Sequence, residues 1–463
     1  MKFRQALALV LVVAGGLPIS AQDKPVSAAK HDRELTIEEL FGLVEENSSS
    51  LRAEKTGVQF ADQGVAAAKT ERLPDIHTSL SASYNGNILM TDRDFTHAHG
   101  YSSPHFGNSL AVEAQQVVYS GGALSAGIRM AELGREQAEV GVELTRQQLR
   151  FLVLGQYLEL AKLQNRREVY VQNIALTEHL ISDIRAKAEQ GMALKNDVTR
   201  YELQLEQLRL GLRRVDDQRA ILNQQLTTTL GLNPSETIRP QFGEPQAGTG
   251  LVTLSQAGHG LAMTAGGQGN SFEPASGDVQ WAMSARQRLS QLATLQAEQR
   301  ERLAKSELLP KVALFAGDNL NGPFVYDIPP VNKNINNWFL GVGVKYSLSS
   351  LYKGKRKLEQ ARTAVEQSRQ REVVVAEQQQ DAIHEAQTLY EQSFADLDTQ
   401  RKSVELATQN YQVVNERYLN QLALVTDMID ASNIRLNAEL QEVDARIQTL
   451  YAYYRVLYAA GRI

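Results

Sequence analysis

Two periods of hydrophobic residues alternate along this chain, and both occur twice in the same order. Apolar residues recur every three or four positions over residues 125–231 and 352–461, as in amphipathic helices. Over residues 75–119 and 311–347 apolar and polar residues alternate, as in strands with one apolar and one polar face, with loops predicted over about 86–107 and 318–336. The pattern therefore predicts a strand hairpin followed by a long helical hairpin, in two successive copies.

A constant offset of 230 residues relates the two copies. Each helical hairpin turns at a short segment, Glu189–Val198 in the first copy and Asn420–Met428 in the second. Leu73-Pro74 and Leu309-Pro310 end the helical tract before each strand hairpin, because proline and its predecessor disfavour helix. The residues that coincide at this offset are Ala193 and Ala423, Leu194 and Leu424, Asp197 and Asp427, and Gly231 and Gly461.

These boundaries divide the chain into a signal peptide (1–21), a first repeat (22–231), a linker (232–277) and a second repeat (278–463). Within the first repeat, residues 22–34 are polar and predicted to be loose. Thr36 and Glu39 have the spacing of a capping box and predict a helix that continues to Arg72. The linker is rich in Gly, Ser, Ala and Gln and cannot bury much on its own. We expect it to wrap outside the helices with at most one short helix or strand.

The first 21 residues have the features of an export signal. Lys2 and Arg4 precede an apolar stretch, and Ser20-Ala21 offers a cleavage point before Gln22. The alternative is an N-terminal membrane anchor, but the apolar run is short for a span. The chain has no cysteine, which excludes disulfides, thiolate metal sites, a cysteine nucleophile and a lipid attached to an N-terminal cysteine. The net charge of −5 is mild and argues against nucleic acid as a partner.

The predicted strands need partners from other chains. Each repeat supplies two amphipathic strands of the length that suits a tilted outer-membrane strand. Four strands cannot close a barrel, and an open sheet in lipid would leave backbone groups unpaired at several kcal/mol each. We therefore expect a barrel shared between copies, with Leu80, Val112, Leu314 and Val342 facing lipid and Ser81 and Gly343 on the other face. The helix predicted over 125–189 would be roughly 100 Å long. The returning helices carry apolar seams at a three-four spacing, which begin with Leu194 and Val198 in the first copy and with Val425 and Ile429 in the second, and which also need neighbours.

With this doubled order of elements, the chain resembles the TolC-like outer-membrane efflux factors over essentially all of its mature length. The first turn, Gly191-Met-Ala-Leu-Lys-Asn-Asp-Val198, is similar to the family's motif at the tip of the helical hairpin. The resemblance implies a mainly α-helical homotrimer with a twelve-stranded membrane β-barrel, formed from four strands per chain, and a periplasmic helical tunnel. It also implies a passive exit duct for efflux or type I secretion, with a periplasmic adaptor and an inner-membrane pump of unknown class as partners.

The resemblance places a pore constriction at the tip of the second hairpin. Its acidic positions match Asp427 and Asp430, which lie three residues apart on one helix face. The alternative is that both are ordinary acids at a helix start, where they favour the helix dipole. Asp197 and Tyr418 match positions that hold the family's closed state. Ala423 stands where the family often has arginine, and Gln421 where it has glycine, so Lys195 or Arg417 are the candidate substitutes.

The same tips are expected to contact the adaptor, through residues of both turns: Gly191, Met192, Ala193, Leu194, Gln421, Leu422, Ala423 and Leu424. No cofactor is expected. A metal site in the first hairpin loop, with His97, His99, His105, Asp92 and Asp94, is the weaker interpretation of a polar loop without fixed ligand spacing. The chain is thus predicted to be a channel in the outer membrane, extending into the periplasm, and not an enzyme. The rival hypothesis is a periplasmic coiled-coil adaptor or scaffold without a pore.

Overall fold

The computed structural model describes residues 32–241, 283–324, 330–420 and 422–463. The predicted signal peptide, most of the linker (242–277) and Gln421 lie outside the described residues. The elements in chain order are β1 (Asp32–Leu35), α1 (Ile37–Asn47), α2 (Ser49–Thr70), β2 (Asp75–Tyr84), β3 (Ile88–Met90), β4 (His99–Tyr101), β5 (Phe106–Tyr119), α3 (Ala123–Glu189), α4 (Lys195–Leu230), β6 (Thr237–Pro240), α5 (Ala285–Ser306), β7 (Lys311–Gly322), β8 (Ile335–Lys345), α6 (Ser350–Leu419) and α7 (Val425–Ala459).

Two very long helices organise the molecule. α3 has 67 residues and α6 has 70, so each extends over roughly 100 Å. In the half that carries the hairpin turns, the helices pack side by side in the order α4, α3, α7, α6. In the other half α2 packs on α3, and α5 packs between α3 and α6. The helical layer of one chain is therefore open, with α4 and α6 as its free edges in the turn half.

The four long strands form one antiparallel sheet in the order β2, β5, β7, β8. Its register confirms that Leu80, Val112, Leu314 and Val342 lie on one face, with Ser81 and Gly343 on the other. Residues that are paired across neighbouring strands form rows on this first face. The rows include Ile76, Ala114, Ala316 and Leu340, then Leu80, Leu110 and Leu320, and then Gln116, Leu314 and Val342. Asp318, predicted to begin a loop, instead lies within β7 on this apolar face, paired with Val112 and Trp338.

The opposite face of the sheet carries two phenylalanines seated over glycines. A Cβ on Gly341 would lie 2.6 Å from the Phe315 ring, and one on Gly317 would lie 2.5 Å from the Phe339 ring. The two rings are 6.0 Å apart. The glycines are thus needed for close approach of an aromatic side chain to the strand.

A hydrophobic core lies where the helices of the two halves meet. Leu154, Tyr157, Leu226 and Leu230 are buried there against α1 and the strands β1 and β6. The Tyr157 hydroxyl donates to the Leu35 carbonyl at 2.6 Å and accepts from the Gln241 N–H at 2.9 Å. The tyrosine thereby ties the start of the described chain to the start of the linker, across a long stretch of sequence.

Several local predictions need correction. Thr36 and Glu39 do form the capping box, but the helix breaks at Ser48, which has an extended backbone and whose hydroxyl accepts from the Leu51 N–H to cap a separate α2. Residues 32–34, predicted to be loose, form β1, which pairs in parallel with β6 of the linker. The loop predicted over 318–336 is shorter, because β7 continues to Gly322. Each change arises from backbone pairing or capping that the period of apolar residues does not report.

Within the described residues, none of the helices is both long enough and apolar enough to cross a membrane.

Candidate functional site

The candidate site lies at the two turns between the long helices. After α3 ends, Gly191 adopts a left-handed backbone with φ of 73°, and the Met192 N–H donates to the Lys187 carbonyl at 2.8 Å. In the second turn the Leu422 N–H donates to the Arg417 carbonyl, also at 2.8 Å. These bonds satisfy carbonyls that a helix end leaves free. The repeat thus reproduces the same turn at both tips.

Both repeat aspartates cap the helix that returns from the turn. The Asp427 carboxylate accepts from the Leu424 N–H at 3.0 Å, and the Asp197 carboxylate accepts from the Leu194 N–H at 3.4 Å. An acceptor at this position satisfies an N–H that the first helical turn leaves unpaired. For Asp427 the structure therefore establishes the helix-start role. It leaves the pore-ring role as a prediction.

Asp430 differs from Asp427. It lies one turn further into α7, is exposed, and makes no hydrogen bond or ion pair with any residue that the structure describes. A carboxylate with no structural partner is free to act on ions in solution. Of the two predicted constriction residues, Asp430 is the one whose local environment assigns it no structural role.

Tyr418 and Asp197 lie near each other at the tips, and their role in the closed state stays a prediction. Burial raises the pKa of the Tyr418 hydroxyl, and the neighbouring Asp197 carboxylate raises it further. The Lys187 ammonium lies 5.5 Å from the centre of the Tyr418 ring, which is within the range of a cation–π contact. Lys187 thus links α3 of the first hairpin to α6 of the second.

Sequence reasoning missed Lys187 and named Lys195 and Arg417 as substitutes for the family's arginine. Within the described residues, neither of those two makes an ion pair with Asp197. The available signal for Lys187 was its place in the last turn of α3, where a cation favours the helix C-terminus. Its link to Tyr418 depends on packing between hairpins, which the sequence pattern does not reveal.

A compact core supports the two turns from behind. It contains Ile181, Ile184, Tyr201, Leu205, Tyr411, Val425, Met428 and Ala431, drawn from all four helices. Met428 is fully buried, although it lies outside the predicted seam of α7. The Tyr201 hydroxyl is buried without a hydrogen-bond partner in the described structure, and burial raises its pKa, with Tyr418, Tyr411 and Asp197 adding to the effect. The tips are therefore held by packing across the two repeats.

The outer surface of the tips is apolar. Leu194 is 69% exposed and Leu422 and Leu424 are each 70% exposed, with Met192 beside them. Leu194 was also predicted to lie in the buried seam of α4, and that assignment is wrong because the residue precedes the helix. Ala193 and Ala423 are half-buried. The structure of a single chain does not test the prediction that these residues contact an adaptor. The apolar surface that such a contact requires is present.

The first hairpin loop contains one histidine–aspartate contact. His97 Nδ1 lies 3.0 Å from Asp92 Oδ2, while Asp94 accepts from Thr96, and His105 contacts the Asn85 carbonyl. No three metal-ligating side chains come together in the parts of the chain that the structure describes. His97 and His105 are thus engaged in local loop contacts.

Comparison with known proteins shows which class of protein the chain is similar to. The family model described as outer membrane efflux protein matches residues 40–232, which cover most of the first repeat. No curated protein sequence matches the chain significantly. The structure is similar to the outer membrane protein VceC of Vibrio cholerae, with a TM-score of 0.71, 15% identity and coverage of 92% of this chain and 96% of that one.

Two further structures are similar over nearly the same length. The CmeC outer membrane channel of Campylobacter jejuni has a TM-score of 0.70 at 12% identity, covering 92% of this chain and 85% of its own. The open state of the MtrE outer membrane channel of Neisseria gonorrhoeae has a TM-score of 0.66 at 13% identity, covering 92% and 88%. The first half of the chain thus matches the outer membrane efflux protein family, and the fold of the chain is that of the TolC-like channels.

Proposed function

We propose that this chain is the outer-membrane exit duct of a tripartite efflux or type I secretion system, in which three copies enclose one continuous passage. The observation that carries the proposal is that both layers of the chain are open at corresponding edges. The sheet ends in β2 and β8, one from each repeat, and the helical layer ends in α4 and α6, again one from each repeat. A ring of copies closes both layers at once and leaves no strand edge in lipid.

The free helix edges carry apolar side chains at matching heights. Leu203 and Leu210 on α4 are exposed, and they lie 8 and 15 residues beyond its first residue. Val413 and Leu406 on α6 are exposed, and they lie 6 and 13 residues before its last residue. At about 1.5 Å per residue these heights are roughly 12 and 22 Å on α4 and roughly 9 and 20 Å on α6. The spacing of seven on both edges is that of a coiled-coil seam.

The trimer places the acidic residues around the axis of the tip. In this proposal Asp427 and Asp430 of three copies surround the closed mouth, and Asp197 and Tyr418, with Lys187, hold the hairpins closed. Crowded carboxylates in a narrow opening concentrate negative potential and attract cations. The exposed apolar tips, from Met192 to Leu194 and from Leu422 to Leu424, receive the periplasmic adaptor, which connects the duct to an inner-membrane pump.

The absence of cysteine makes the trimer directly testable by engineered disulfides. Leu210→Cys combined with Leu406→Cys should give covalent trimers on oxidation, because the two positions meet between copies. Leu210→Cys with Ile434→Cys is the matched control, since Ile434 is exposed on α7, which is flanked on both sides within its own chain. Equal crosslinking of the two pairs, or a ladder that stops at dimer, would contradict the proposed ring.

The pore itself is tested by single-channel recording in planar bilayers with a trivalent cation added on the tip side. The parent channel should be blocked. Asp430→Asn together with Asp427→Asn should relieve the block, because asparagine keeps the capping acceptor of residue 427 while removing both charges. Block that persists in the double variant would assign both acids to the helix start alone. The same preparation, examined by mass spectrometry, should carry no acyl chain.

A further inference from the structure

The junction between β8 and α6 carries a concentration of positive charge. Residues 345–357 include five Lys or Arg residues and no Asp or Glu. Four of the five lie within the first eight residues of α6, namely Lys353, Lys355, Arg356 and Lys357. Cations near the start of a helix oppose its dipole, and α6 has no acidic residue in its first turn. The positive charge of this junction therefore does not stabilise the helix that carries it.

Two of these cations have no anionic partner within the described residues. Lys357 Nζ lies 2.9 Å from Glu307 Oε2 on α5, and Arg356 pairs within its own helix at 3.2 Å. Lys353 and Lys355 are exposed, and neither makes an ion pair with a residue that the structure describes. These two lysines are therefore available to an anionic group outside the chain.

Exposed apolar side chains flank the same cations. Val344 lies on the apolar face of the sheet, and the alternation of β8 puts Tyr346 at the next position of that face. Leu348 is 71% exposed and Tyr352 is 65% exposed. Lysine beside exposed leucine and tyrosine is typical of a membrane–water interface, where the apolar groups enter the acyl region and the ammonium groups reach the headgroups. The composition of the junction thus fits a lipid surface.

The equivalent junction of the first repeat has a different composition. Aligned on Tyr119 and Tyr346, which precede a serine in both repeats, the two helix starts share an arginine, Arg129 in α3 and Arg356 in α6. Arg129 is neutralised by two glutamates of its own helix. The three lysines of α6 correspond to uncharged residues: Lys353 to Ala126, Lys355 to Ile128 and Lys357 to Met130. The unpaired positive charge is therefore a property of the second junction.

We infer that the junction of β8 and α6 binds the headgroups of anionic phospholipids in the leaflet that faces the helical layer. Lys353 and Lys355 attract the lipid phosphates, while Tyr346 and Leu348 enter the acyl region. The two lysines lie on different sides of α6, but attraction to a charged surface extends over about 10 Å and does not require a shared face. The inference rests on the proposed membrane position of the sheet. It goes beyond that position because it assigns lipid selectivity to one of the two repeats.

Quenching of tryptophan fluorescence by brominated lipids tests this selectivity. The chain has two tryptophans, Trp281 and Trp338, which are both first replaced by phenylalanine. Tyr346→Trp then reports the lipids at the second junction. Tyr119→Trp is the matched reporter at the first junction, since Tyr119 pairs with Val312 on the apolar face. The full-length protein is reconstituted in phosphatidylcholine bilayers that contain brominated phosphatidylglycerol or brominated phosphatidylcholine.

The reporters should differ in their preference for the anionic lipid. At Tyr346→Trp we expect phosphatidylglycerol to be preferred by about ten-fold or more, and at Tyr119→Trp by clearly less. Lys353→Gln and Lys355→Gln should each lower the preference at Tyr346→Trp by about five-fold, the effect of one cation near an anionic membrane surface. Lys195→Gln is the control for overall charge, because Lys195 is exposed at the start of α4, at the tip end of the molecule.

Three results would overturn the lipid site. The first is an equal preference at the two reporters, and the second is an equal loss in Lys195→Gln and Lys353→Gln. The third is a preference that inorganic phosphate abolishes at constant ionic strength, which would assign the lysines to free phosphate instead of lipid. A different result, in which no brominated lipid quenches either reporter, would contradict the membrane position of the sheet and with it the proposed duct. The two proposals are therefore distinguished by one set of samples.

Discussion

The two hairpin tips share one backbone design but carry opposite charge. Both turns make the same 2.8 Å backbone bond and restart with an aspartate that caps a leucine N–H. At the repeat offset, however, Arg200 of the first tip corresponds to Asp430 of the second, and Lys195 corresponds to the buried Val425. Both tips thus keep the capping aspartate and the leucine whose N–H it accepts, whereas other positions of the tips differ. The second tip therefore adds a further carboxylate to its capping aspartate, whereas the first tip adds cations to its own.

Packing behind the tips diverged in a complementary way. The buried Tyr201 of the first repeat corresponds to the buried Ala431 of the second, and Ile181 corresponds to Tyr411. All four side chains lie in one core, so a large residue from one repeat fills the space that a small one leaves in the other. The two tips are thus no longer interchangeable, and each of the following experiments compares equivalent positions.

The largest difference is expected between Met428→Ala and Val198→Ala, which are equivalent positions. Met428 is fully buried, and removing such a side chain costs about 2–5 kcal/mol because a cavity remains. Val198 is half-buried and loses less volume, so its cost should be about 1 kcal/mol. Hydrogen exchange of the amides in α7 and α4 measures the local opening free energy. Equal effects would mean that Met428 and Val198 contribute equally to the local stability of the two tips.

A smaller difference is expected at the capping aspartates. Asp427→Ala should destabilise the start of α7 by about 1 kcal/mol, and Asp427→Asn should cost less than half of this because asparagine remains an acceptor. Asp197→Ala should cost less than Asp427→Ala, because its bond to Leu194 is longer, 3.4 Å against 3.0 Å. Hydrogen exchange in the first turns of α4 and α7 reports each cap. A larger loss of stability in Asp197→Ala than in Asp427→Ala would show that the core behind the tips, with Tyr201 and Tyr411, depends on the charge of Asp197.

The contact between the repeats at the tip should contribute less again. Lys187→Met keeps the aliphatic stem but removes the cation over Tyr418, with an expected cost of about 0.5–1 kcal/mol. Arg417→Met, at the equivalent position of the second repeat, is the control and should have no effect on stability. Because Lys187 links α3 to α6, its loss should also lengthen open events in single-channel records. Identical records for the two variants would remove Lys187 from the closed-state contacts.

The smallest effect at neutral pH, and the one with a distinct pH dependence, is expected for Tyr201→Phe. The substitution removes a buried hydroxyl without a partner and should be neutral or slightly stabilising. Burial raises the pKa of folded Tyr201 above the ordinary value of about 10, so its proton is held more tightly in the folded state. The stability that this contributes is complete below pH 10 and is lost as the pH rises above it. The variant should therefore unfold less readily than the parent in alkali, by circular dichroism.

The sequence by itself determined the duplicated order of elements and the residues that form both turns. Strict alternation identified the strands and the face that holds Leu80 and Val342, since a strand has a period of two. The offset of 230 located Asp197 and Asp427, because the same turn needs the same cap. Within each copy these features depend on residues only a few positions apart, so the local sequence is enough to predict them.

Only the tertiary structure decided which residues meet across the repeats. The burial of Met428, the contact of Lys187 with Tyr418 and the pairing of β1 with β6 join segments that are distant in sequence. Amphipathic periodicity shows that a helix face is buried but not which helix covers it. That choice follows from how the side chains of the two diverged repeats fill one shared interior.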